Sequence, residues 1–274
     1  MRPLFPRRLP PMSPFLAAAL EAARAADTVV RAHYRKNFQV RIKADASPVT
    51  EVDEAAEAAI KSVLLKHFPQ HGFFGEESGQ DNINAEYLWL VDPIDGTKAF
   101  VRGYPMFSTQ IALMHRGELV LGVSSAPCWN GGAGETLYAE RGQGAFLLGE
   151  NGPEKLQVSS IDTLPKATLS LGNLATLAAS PSWAKLGEVI PQLHRIRGYA
   201  DFLHYHLLAT GRIDAVVETN VNILDIAALV VIVREAGGDF SELDGASITL
   251  ATTSVLASNG KLSAILKPAL SYRA

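Results

Sequence analysis

Acidic residues are concentrated in three short stretches of the sequence, each next to an apolar run. The stretches read FFGEESG, WLVDPIDGTKAF and NILDIAAL, and their acids are Glu76, Glu77, Asp92, Asp95 and Asp225. Carboxylate oxygens are hard ligands, which Mg²⁺, Mn²⁺ and Ca²⁺ prefer. If the fold brings the three stretches together, these acids would form a site for divalent cations.

A glycine and a threonine follow Asp95 directly. Gly96 and Thr97 are expected to open a turn or a short helix, whose free backbone N–H groups attract an anion. Acids and an anion-binding turn would repel a shared ligand unless a cation lay between them. The combination therefore predicts a divalent metal ion together with a phosphate-like anion.

Each acidic stretch also has a purely structural explanation. Glu76 and Glu77 are typical of a solvated turn between two glycines, and Asp225 is typical of a helix N-cap. Asp53 is explained by a capping box with Thr50. Three acidic stretches together with a Gly-Thr turn are harder to explain in this way, which favours a shared functional site.

A short strand and a proline are expected to position the central pair of acids. The apolar run 88–91 indicates a buried strand, and Pro93 restricts the preceding Asp92 to an extended conformation. We therefore expect Asp92 at the carboxyl end of this strand, with Asp95 across a turn on the same side.

Two helices are expected before this strand. Ser13 and Pro14 form a cap and an N1 proline, followed by alanine and leucine at helical spacing. Thr50 and Asp53 form the capping pattern of a second helix, which Pro69 and the glycine that follows it would end.

The pattern of predicted secondary structure changes near the middle of the chain. Residues 87–142 contain short β-rich runs typical of a mainly antiparallel sheet. From about residue 164, strand and helix patterns alternate, with Gly211 and Gly237 at expected helix C′ positions. We expect a mobile leader at 1–13, an N-terminal α+β part at 14–155 and a C-terminal α/β part at 156–274.

Composition excludes several classes of protein. The net charge of −3 and the pI of about 6.2 lack the basic excess of a nucleic-acid binder or a polybasic membrane patch. No run of about 18 uncharged apolar residues suggests a membrane span. The single cysteine, Cys128, excludes an intramolecular disulfide, suits a reducing cytoplasm and is expected to be a buried or loop thiol.

The stretch HYH does not indicate a second metal site. His204 and His206 are two residues apart on an expected helix, so their side chains point to different sides. We expect them to be packing or surface residues, and we expect Phe202, Tyr205 and Trp183 to lie in the core or at a dimer interface.

The motifs GEES, WLVDPIDGTKAF and LDIAALVVIVREAGG, in this order and spacing, resemble those of the inositol monophosphatase superfamily. The resemblance extends from about Ser13 to the end of the chain. It implies an α/β (α+β) fold in αβαβα layers, with an antiparallel N-terminal sheet and a smaller C-terminal sheet. It also implies a cytoplasmic homodimer that hydrolyses phosphate monoesters with two or three Mg²⁺ ions, or with Mn²⁺.

The resemblance also implies a role for each matching residue. The implied metal ligands are Glu76, Asp92, the carbonyl of Ile94, Asp95 and Asp225. Thr97 and Asp53 would activate the attacking water with Glu76 beside them, and the amides of Gly96 and Thr97 would hold the phosphate. Two positions depart from the family, since Leu224 replaces a common tryptophan and Ala99 replaces an asparagine of inositol-specific members.

Within the superfamily, the stretch DGTKAFVRGYP and the later YADF resemble bacterial histidinol-phosphate phosphatases, although Ala200 replaces the usual glycine before Asp201. Histidinol phosphate carries an ammonium and an imidazole group, with which Asp201 and Glu218 would pair. Lys98 and Arg102 flank the phosphate loop and would supply local cations.

Other functions stay open at this point. Inositol 1-phosphate or a related sugar phosphate is an alternative substrate, and a 3′(2′),5′-bisphosphate nucleotide is another. The nucleotide would need cations for a second phosphate, and the sequence indicates none beyond Lys98 and Arg102. A regulator that binds metal or phosphate without turnover is a further alternative, but such a protein would not need the Thr97 and Asp53 pair.

Overall fold

The computed structural model describes residues 12–43, 48–149 and 152–270. The helices are α1 (Pro14–His33), α2 (Glu51–His67), α3 (Thr97–Val101), α4 (Leu174–Ala179), α5 (Ser182–Val189), α6 (Asp201–Ala209), α7 (Ile223–Glu235) and α8 (Ser263–Leu270). The first ten strands are β1 (Val40–Ile42), β2 (Pro48–Thr50), β3 (Gly72–Gly75), β4 (Gly79–Asp81), β5 (Tyr87–Asp95), β6 (Ser108–His115), β7 (Glu118–Ala126), β8 (Glu135–Glu140), β9 (Gly144–Gly149) and β10 (Gly152–Lys155). The remaining strands are β11 (Thr168–Leu171), β12 (Arg195–Arg197), β13 (Ala215–Thr219), β14 (Asp239–Ser241) and β15 (Ser254–Ser258).

Two stacked sheets form the frame of the molecule. The larger has eight strands in the order β10-β9-β8-β7-β6-β5-β3-β4, antiparallel except for the parallel pair β3 and β5. The smaller has five strands in the order β12-β11-β13-β15-β14, with β11 parallel to both of its neighbours. Strands β1 and β2 form a separate ribbon.

Helices cover the outer faces of both sheets and fill the space between them. Apolar residues of α1 and α2 pack on the outer face of the larger sheet, and α5 and α8 pack on the outer face of the smaller one. Residues of α6 and α7 lie in the core between the two sheets. The expected αβαβα layering is therefore confirmed.

Local sequence signals account for the two N-terminal helices. The Ser13 hydroxyl accepts a hydrogen bond from the Leu16 amide at the start of α1. Thr50 and Asp53 form a complete capping box at the start of α2, because each side chain accepts from the other residue's backbone N–H. The expected start of each helix is confirmed.

Helix α7 is apolar on all sides, which is the pattern of a helix without a solvent face. It packs against β7 at Gly122, where an added Cβ would lie 2.3 Å from the carbonyl oxygen of Ala228. Such a close approach of helix and sheet is possible only without a side chain at position 122. The glycine therefore sets the distance between α7 and the larger sheet.

Several elements of the C-terminal part were not predicted from the sequence patterns. Strands β14 and β15 complete the smaller sheet in antiparallel pairing, and α4 and α8 flank it.

The two expected helix ends are confirmed, since Gly211 and Gly237 follow the C-caps of α6 and α7 with φ of 70° and 94°.

The proposed boundary between residues 155 and 156 lies between the last strand of the larger sheet, which ends at Lys155, and the first strand of the smaller sheet, which begins at Thr168. Most of the leader expected at 1–13 lies outside the described residues. Within the described ranges, no helix combines the length and the apolar character needed to cross a bilayer.

We predict that Gly122→Ala lowers the free energy of unfolding by about 2 kcal/mol, because the new methyl group must push α7 away from β7. Gly187→Ala is the matched control, since Gly187 is exposed on α5 with open space around it. There alanine should raise the free energy of unfolding by about 0.5 kcal/mol through helix propensity. Urea unfolding of both variants measures the two effects, and an unchanged Gly122→Ala variant would contradict the close packing.

Candidate metal and phosphate site

A β-bulge places two of the predicted acids on the same side of β5. Asp92 and Asp95 are three residues apart, and in a regular strand such residues face opposite ways. Between them the ladder with β6 shifts register, so that Pro93 and Ile94 lie opposite Thr109 alone. The Thr109 hydroxyl donates to the carbonyl of Pro93 at 2.8 Å, which satisfies the irregular backbone.

The bulge corrects one detail of the sequence interpretation. We expected Asp92 to end the strand and Asp95 to lie beyond a turn, but β5 continues through both acids to Asp95. Both acids nevertheless lie on the same side, as expected, because the extra residue of the bulge turns the Asp95 side chain to the side on which Asp92 lies.

The third acid lies on α7, the helix that packs between the two sheets. Asp225 lies in the first turn of α7, at position N3, and Asn222 is the N-cap. The Asp225 carboxylate accepts from the Asn222 amide and from its side chain, both at 2.8 Å. The capping box therefore holds the carboxylate of Asp225 at the helix start, although Asp225 is not itself the N-cap that the sequence suggested.

Asp92, Asp95 and Asp225 converge in the structure. Each offers a carboxylate oxygen, and the three oxygens lie within 4.8 Å of one another. Burial raises the pKa of Asp92 and of Asp95 well above the usual range, and neighbouring carboxylates raise both further. Burial also raises the pKa of Asp225 to about 7, against the hydrogen bonds from Asn222. Such a cluster of close acids, with its mutual repulsion, fits a site for divalent cations.

Glu76 lies beside the cluster, after the end of β3. Its charge is among the causes of the raised pKa of Asp92, to which its side chain is also hydrogen-bonded. Its backbone amide donates to the Val91 carbonyl at 3.1 Å. Lys43 donates to Glu76 at 3.0 Å and to Glu77 at 2.8 Å, so an ion pair holds these two acids.

The turn that carries Glu76 is held from behind by a buried glutamate. Glu57 of α2 accepts from the amides of Glu77 and Ser78, each at 2.7 Å. An added Cβ at Gly75 would lie 2.5 Å from the Glu57 carboxylate, so glycine is required there. No local pattern predicts the roles of Glu57 and Lys43, because both act through contacts that are distant along the chain.

Thr97 and Asp53 meet although they are far apart in sequence. The Thr97 hydroxyl lies 3.1 Å from Asp53 Oδ1 and 3.0 Å from the Ile94 carbonyl oxygen. Asp53 is almost fully buried, and its other oxygen accepts from the amide and the hydroxyl of Thr50. Burial raises the pKa of Asp53, and these hydrogen bonds oppose the rise.

The turn after Asp95 has the conformation that an anion-binding loop needs. Gly96 has φ of 91°, and an added Cβ there would lie 2.5 Å from the Met106 carbonyl oxygen. Thr97 and Lys98 begin α3, where backbone N–H groups have no partner within the helix. The side chains of Lys98 and Arg102 are both exposed near this turn.

Asp201 and Glu218 lie on the C-terminal side of the cluster. The charges of both contribute to the raised pKa of Asp95, which shows that they are its neighbours. Burial raises the pKa of Asp201 to about 6, with a further rise from the charge of Glu218 and opposing effects of His204 and Lys98. Glu218 is only 4% exposed and accepts hydrogen bonds from Tyr205 and His204.

The backbone before Asp201 is strained. Ala200 has φ of 58° and ψ of 179°, a conformation that only glycine adopts without steric cost. Asp201 follows with φ of 46° and begins α6 without capping it through its side chain. The alanine therefore keeps a glycine-like conformation at the position where the family resemblance predicts glycine.

The structure also places the histidines and the aromatic residues singled out in the sequence. His204 and His206 are buried packing residues, and each is hydrogen-bonded to a glutamate, Glu218 and Glu135 respectively. Phe202 and Tyr205 are in the core as expected, whereas Trp183 is 42% exposed. Cys128 is a buried free thiol. Leu224 is buried in the core between the sheets, and Ala99 is buried on α3.

Comparisons with known proteins agree with this geometry. The chain matches the inositol monophosphatase family over residues 11–272. A histidinol-phosphatase of Mycobacterium tuberculosis is 38% identical over 232 residues, covering 84% of this chain and 88% of the relative. An inositol-1-monophosphatase of Caulobacter vibrioides is 34% identical over 256 residues, covering 89% and 95%. The crystal structure of the extragenic suppressor protein suhB from Bartonella henselae superposes with a TM-score of 0.82 at 30% identity, covering 94% and 98%.

Fold and site together define a phosphoric monoester hydrolase that depends on a metal ion. The chain belongs to the inositol monophosphatase family. The family match and the phosphatase relatives support an enzyme rather than a regulator that binds metal or phosphate without turnover.

We predict that the metal-free protein becomes less stable as pH rises from about 5 to 8. The folded state holds protons on carboxyls such as Asp225, with its pKa of about 7, whereas the unfolded chain releases them near the ordinary pKa of 3.8. The folded state binds more protons over this range, so the free energy of unfolding falls with rising pH.

Urea unfolding at several pH values in the presence of a chelator measures this dependence. The Asp225→Asn variant is the comparison, since it removes one of the titrating groups and should flatten the slope. An equal slope in the variant would show that Asp225 does not carry a raised pKa.

We predict that Ala200→Gly raises the free energy of unfolding by about 1 kcal/mol, because glycine relieves the strain at this position. Ala184→Gly on the exposed side of α5 is the control, and should lower it by a similar amount. Both are measured by chemical denaturation. A destabilised Ala200→Gly variant would argue against strain at this position.

Proposed function

We propose that the protein is a Mg²⁺-dependent phosphatase that hydrolyses histidinol phosphate to histidinol. The observation that carries the substrate assignment is the pair of buried acids, Asp201 and Glu218, beside the cluster of Asp92, Asp95 and Asp225. A substrate with cationic groups would pair with these two acids, and the similarity to the histidinol-phosphatase of M. tuberculosis supports this choice.

The proposed metal ligands are Glu76, Asp92, the carbonyl oxygen of Ile94, Asp95 and Asp225. Hard oxygen donors of this kind favour Mg²⁺ over softer metal ions, and Mn²⁺ is a possible substitute. Divalent ions, when bound, supply positive charge against the phosphate oxygens and make a water molecule more acidic. Lys43 would leave Glu76 when a metal ion takes its place.

Thr97 and Asp53 are proposed to orient the attacking water. Asp53 is fixed by Thr50 and accepts the proton of the Thr97 hydroxyl, which leaves a lone pair of that hydroxyl for a water proton. The water oxygen then has a lone pair free to bond to phosphorus. The P–O bond to the alcohol breaks as the new bond forms. One proton of the attacking water ends on the alcohol oxygen and the other stays on the phosphate, so the products are the alcohol and hydrogen phosphate.

The phosphate itself is proposed to lie at the start of α3. The amides of Gly96 and Thr97, at the start of this helix, would donate to the phosphate, and the exposed side chains of Lys98 and Arg102 would add positive charge nearby. The phosphate dianion would thus be bound between backbone donors and the metal ions. Asp201 and Glu218 would remain for the rest of the substrate.

Inositol 1-phosphate is the second candidate substrate. The similarity to the inositol-1-monophosphatase of C. vibrioides favours it, and carboxylates also accept hydrogen bonds from polyol hydroxyls. A bisphosphate nucleotide has weaker support. Among the described residues near the phosphate turn, Lys98 and Arg102 are the exposed cations, and Lys43 is paired with Glu76 and Glu77.

A phosphate-release panel tests the proposal. We predict that histidinol phosphate is hydrolysed with a higher kcat/KM than inositol 1-phosphate, fructose 1,6-bisphosphate, adenosine 3′,5′-bisphosphate or glycerol phosphate. Activity should require millimolar Mg²⁺ and vanish in chelator. A higher kcat/KM for inositol 1-phosphate would overturn the substrate assignment but not the phosphatase.

The Asp201→Asn variant tests whether the charge of Asp201 contributes to substrate recognition. Loss of its charge should raise the KM for histidinol phosphate about tenfold, because a charge-assisted hydrogen bond contributes roughly 1.5–3 kcal/mol. The KM for glycerol phosphate should not change, since this ester has no cationic group. Asp162→Asn, at an exposed loop position, is the matched control and should leave both values unchanged. An equal change for both esters would remove Asp201 from substrate recognition.

A homodimer and a cytoplasmic location complete the proposal. The homodimer rests on the family resemblance alone, whereas the cytoplasmic location rests also on the single cysteine, which suits a reducing compartment. Light scattering of the purified protein at micromolar concentration tests the oligomeric state.

A further inference from the structure

We propose that His204 is a positioning residue that fixes the carboxylate of Glu218 for substrate recognition. His204 is fully buried on α6, and its Nε2 lies 3.0 Å from Glu218 Oε2. The inference rests on the proposed role of Glu218 in binding the alcohol part of the substrate. It adds a residue that does not touch substrate but determines how Glu218 does.

The two oxygens of Glu218 have different surroundings. Oε2 accepts hydrogen bonds from both the Tyr205 hydroxyl, at 2.7 Å, and the His204 ring. Oε1 has no hydrogen-bond partner within the described part of the chain. It lies against Gly172, where an added Cβ would be 2.0 Å away. One oxygen is therefore held by the protein, and the other is left to accept from a ligand.

A chain of hydrogen bonds defines the ring state of His204. The Tyr199 amide donates to Ser170 Oγ at 3.1 Å, and that hydroxyl lies 3.4 Å from His204 Nδ1. Glu218 Oε2 is a carboxylate oxygen and can only accept, so in the neutral ring Nε2 carries the hydrogen that is donated to Glu218. Nδ1 then accepts from the Ser170 hydroxyl.

This chain links four separate segments. Ser170 is on β11, His204 on α6 and Glu218 on β13, and Tyr199 precedes α6. His204 is also three residues after Asp201, so both lie on the same side of α6. A positive charge on His204, if the ring were protonated, would lower the pKa of Asp201, which shows that the two side chains are close. The histidine thus lies between the two acids that the proposed function assigns to the substrate.

The consequence for binding follows from the geometry. If Oε2 is held by two donors, the Glu218 carboxylate cannot rotate, and Oε1 keeps one direction. A substrate donor, whether ammonium, imidazole or hydroxyl, then meets an oxygen already in place. Without His204, the Glu218 carboxylate accepts only the hydrogen bond from the Tyr205 hydroxyl, so substrate binding must also order the carboxylate.

Steady-state kinetics of His204→Phe and His204→Gln test the proposal. Phenylalanine removes the donor, whereas the side-chain amide of glutamine can donate from the place of Nε2. We predict that His204→Phe raises the KM of the best ester in the panel about tenfold with kcat within about twofold, since a lost hydrogen bond to a charged group has this order of effect. His204→Gln should restore KM to within about threefold of the wild type.

His206→Phe is the matched control. His206 lies on the same helix and is equally buried, and it also pairs with a glutamate, Glu135, at 2.8 Å. Its other ring nitrogen contacts Ser124 of the larger sheet. A general effect of losing a buried histidine would appear in both variants, whereas the proposed effect on KM appears only at His204.

Several outcomes overturn the proposal. An unchanged KM in His204→Phe, or the same rise in His206→Phe, would show that His204 has only a structural role. If His204→Phe is not folded by circular dichroism, Ser170→Ala replaces it, since this variant removes only the hydroxyl behind the ring. A Ser170→Ala variant with unchanged KM would likewise overturn the proposal.

The choice of esters separates this inference from the proposed function. Glycerol phosphate, whose alcohol part is small, should show little change in KM in His204→Phe. If the wild type prefers inositol 1-phosphate, the proposed substrate is wrong, but the effect of His204 on that ester still tests the positioning. If the wild type hydrolyses none of the esters, the phosphatase assignment fails before His204 is considered.

Discussion

Mutual repulsion among buried carboxylates is the constraint on which the rest of this structure depends. Asp92, Asp95 and Asp225 are held within a few ångström in a largely buried position, which by itself destabilises the folded chain. Neither proximity nor burial arises from attraction between them. Packing forces them together from elements that are stabilised elsewhere, and divalent ions relieve the repulsion when they bind.

The supports of the cluster are of different kinds. A bulge with a hydrogen-bonded carbonyl directs the pair on β5, and an asparagine cap fixes the acid on α7. Glu57 holds the turn of Glu76 from behind. Each support pairs backbone or side-chain hydrogen-bonding groups, so stability and site geometry share the same contacts.

Local signals in the sequence accounted for much of the fold and for the candidate acids. The cap at Ser13, the capping box of Thr50 and Asp53 and the C′ glycines 211 and 237 each depend on residues a few positions apart. The bulge on β5 could not be predicted, because it is defined by the register with β6 rather than by the residues of β5 alone. The contacts of Lys43, Glu57 and His204 could not be predicted for the same reason, since their partners are distant in sequence.

The packing of α7 between the two sheets has a consequence for how such an enzyme can change over time. The helix carries Asp225 at its start, but its position is set by apolar contacts along its whole length and by the close approach at Gly122. Substitutions that alter side-chain volume beneath this helix would shift a ligand without replacing it. Metal preference and turnover can therefore drift among related enzymes while every coordinating residue stays the same.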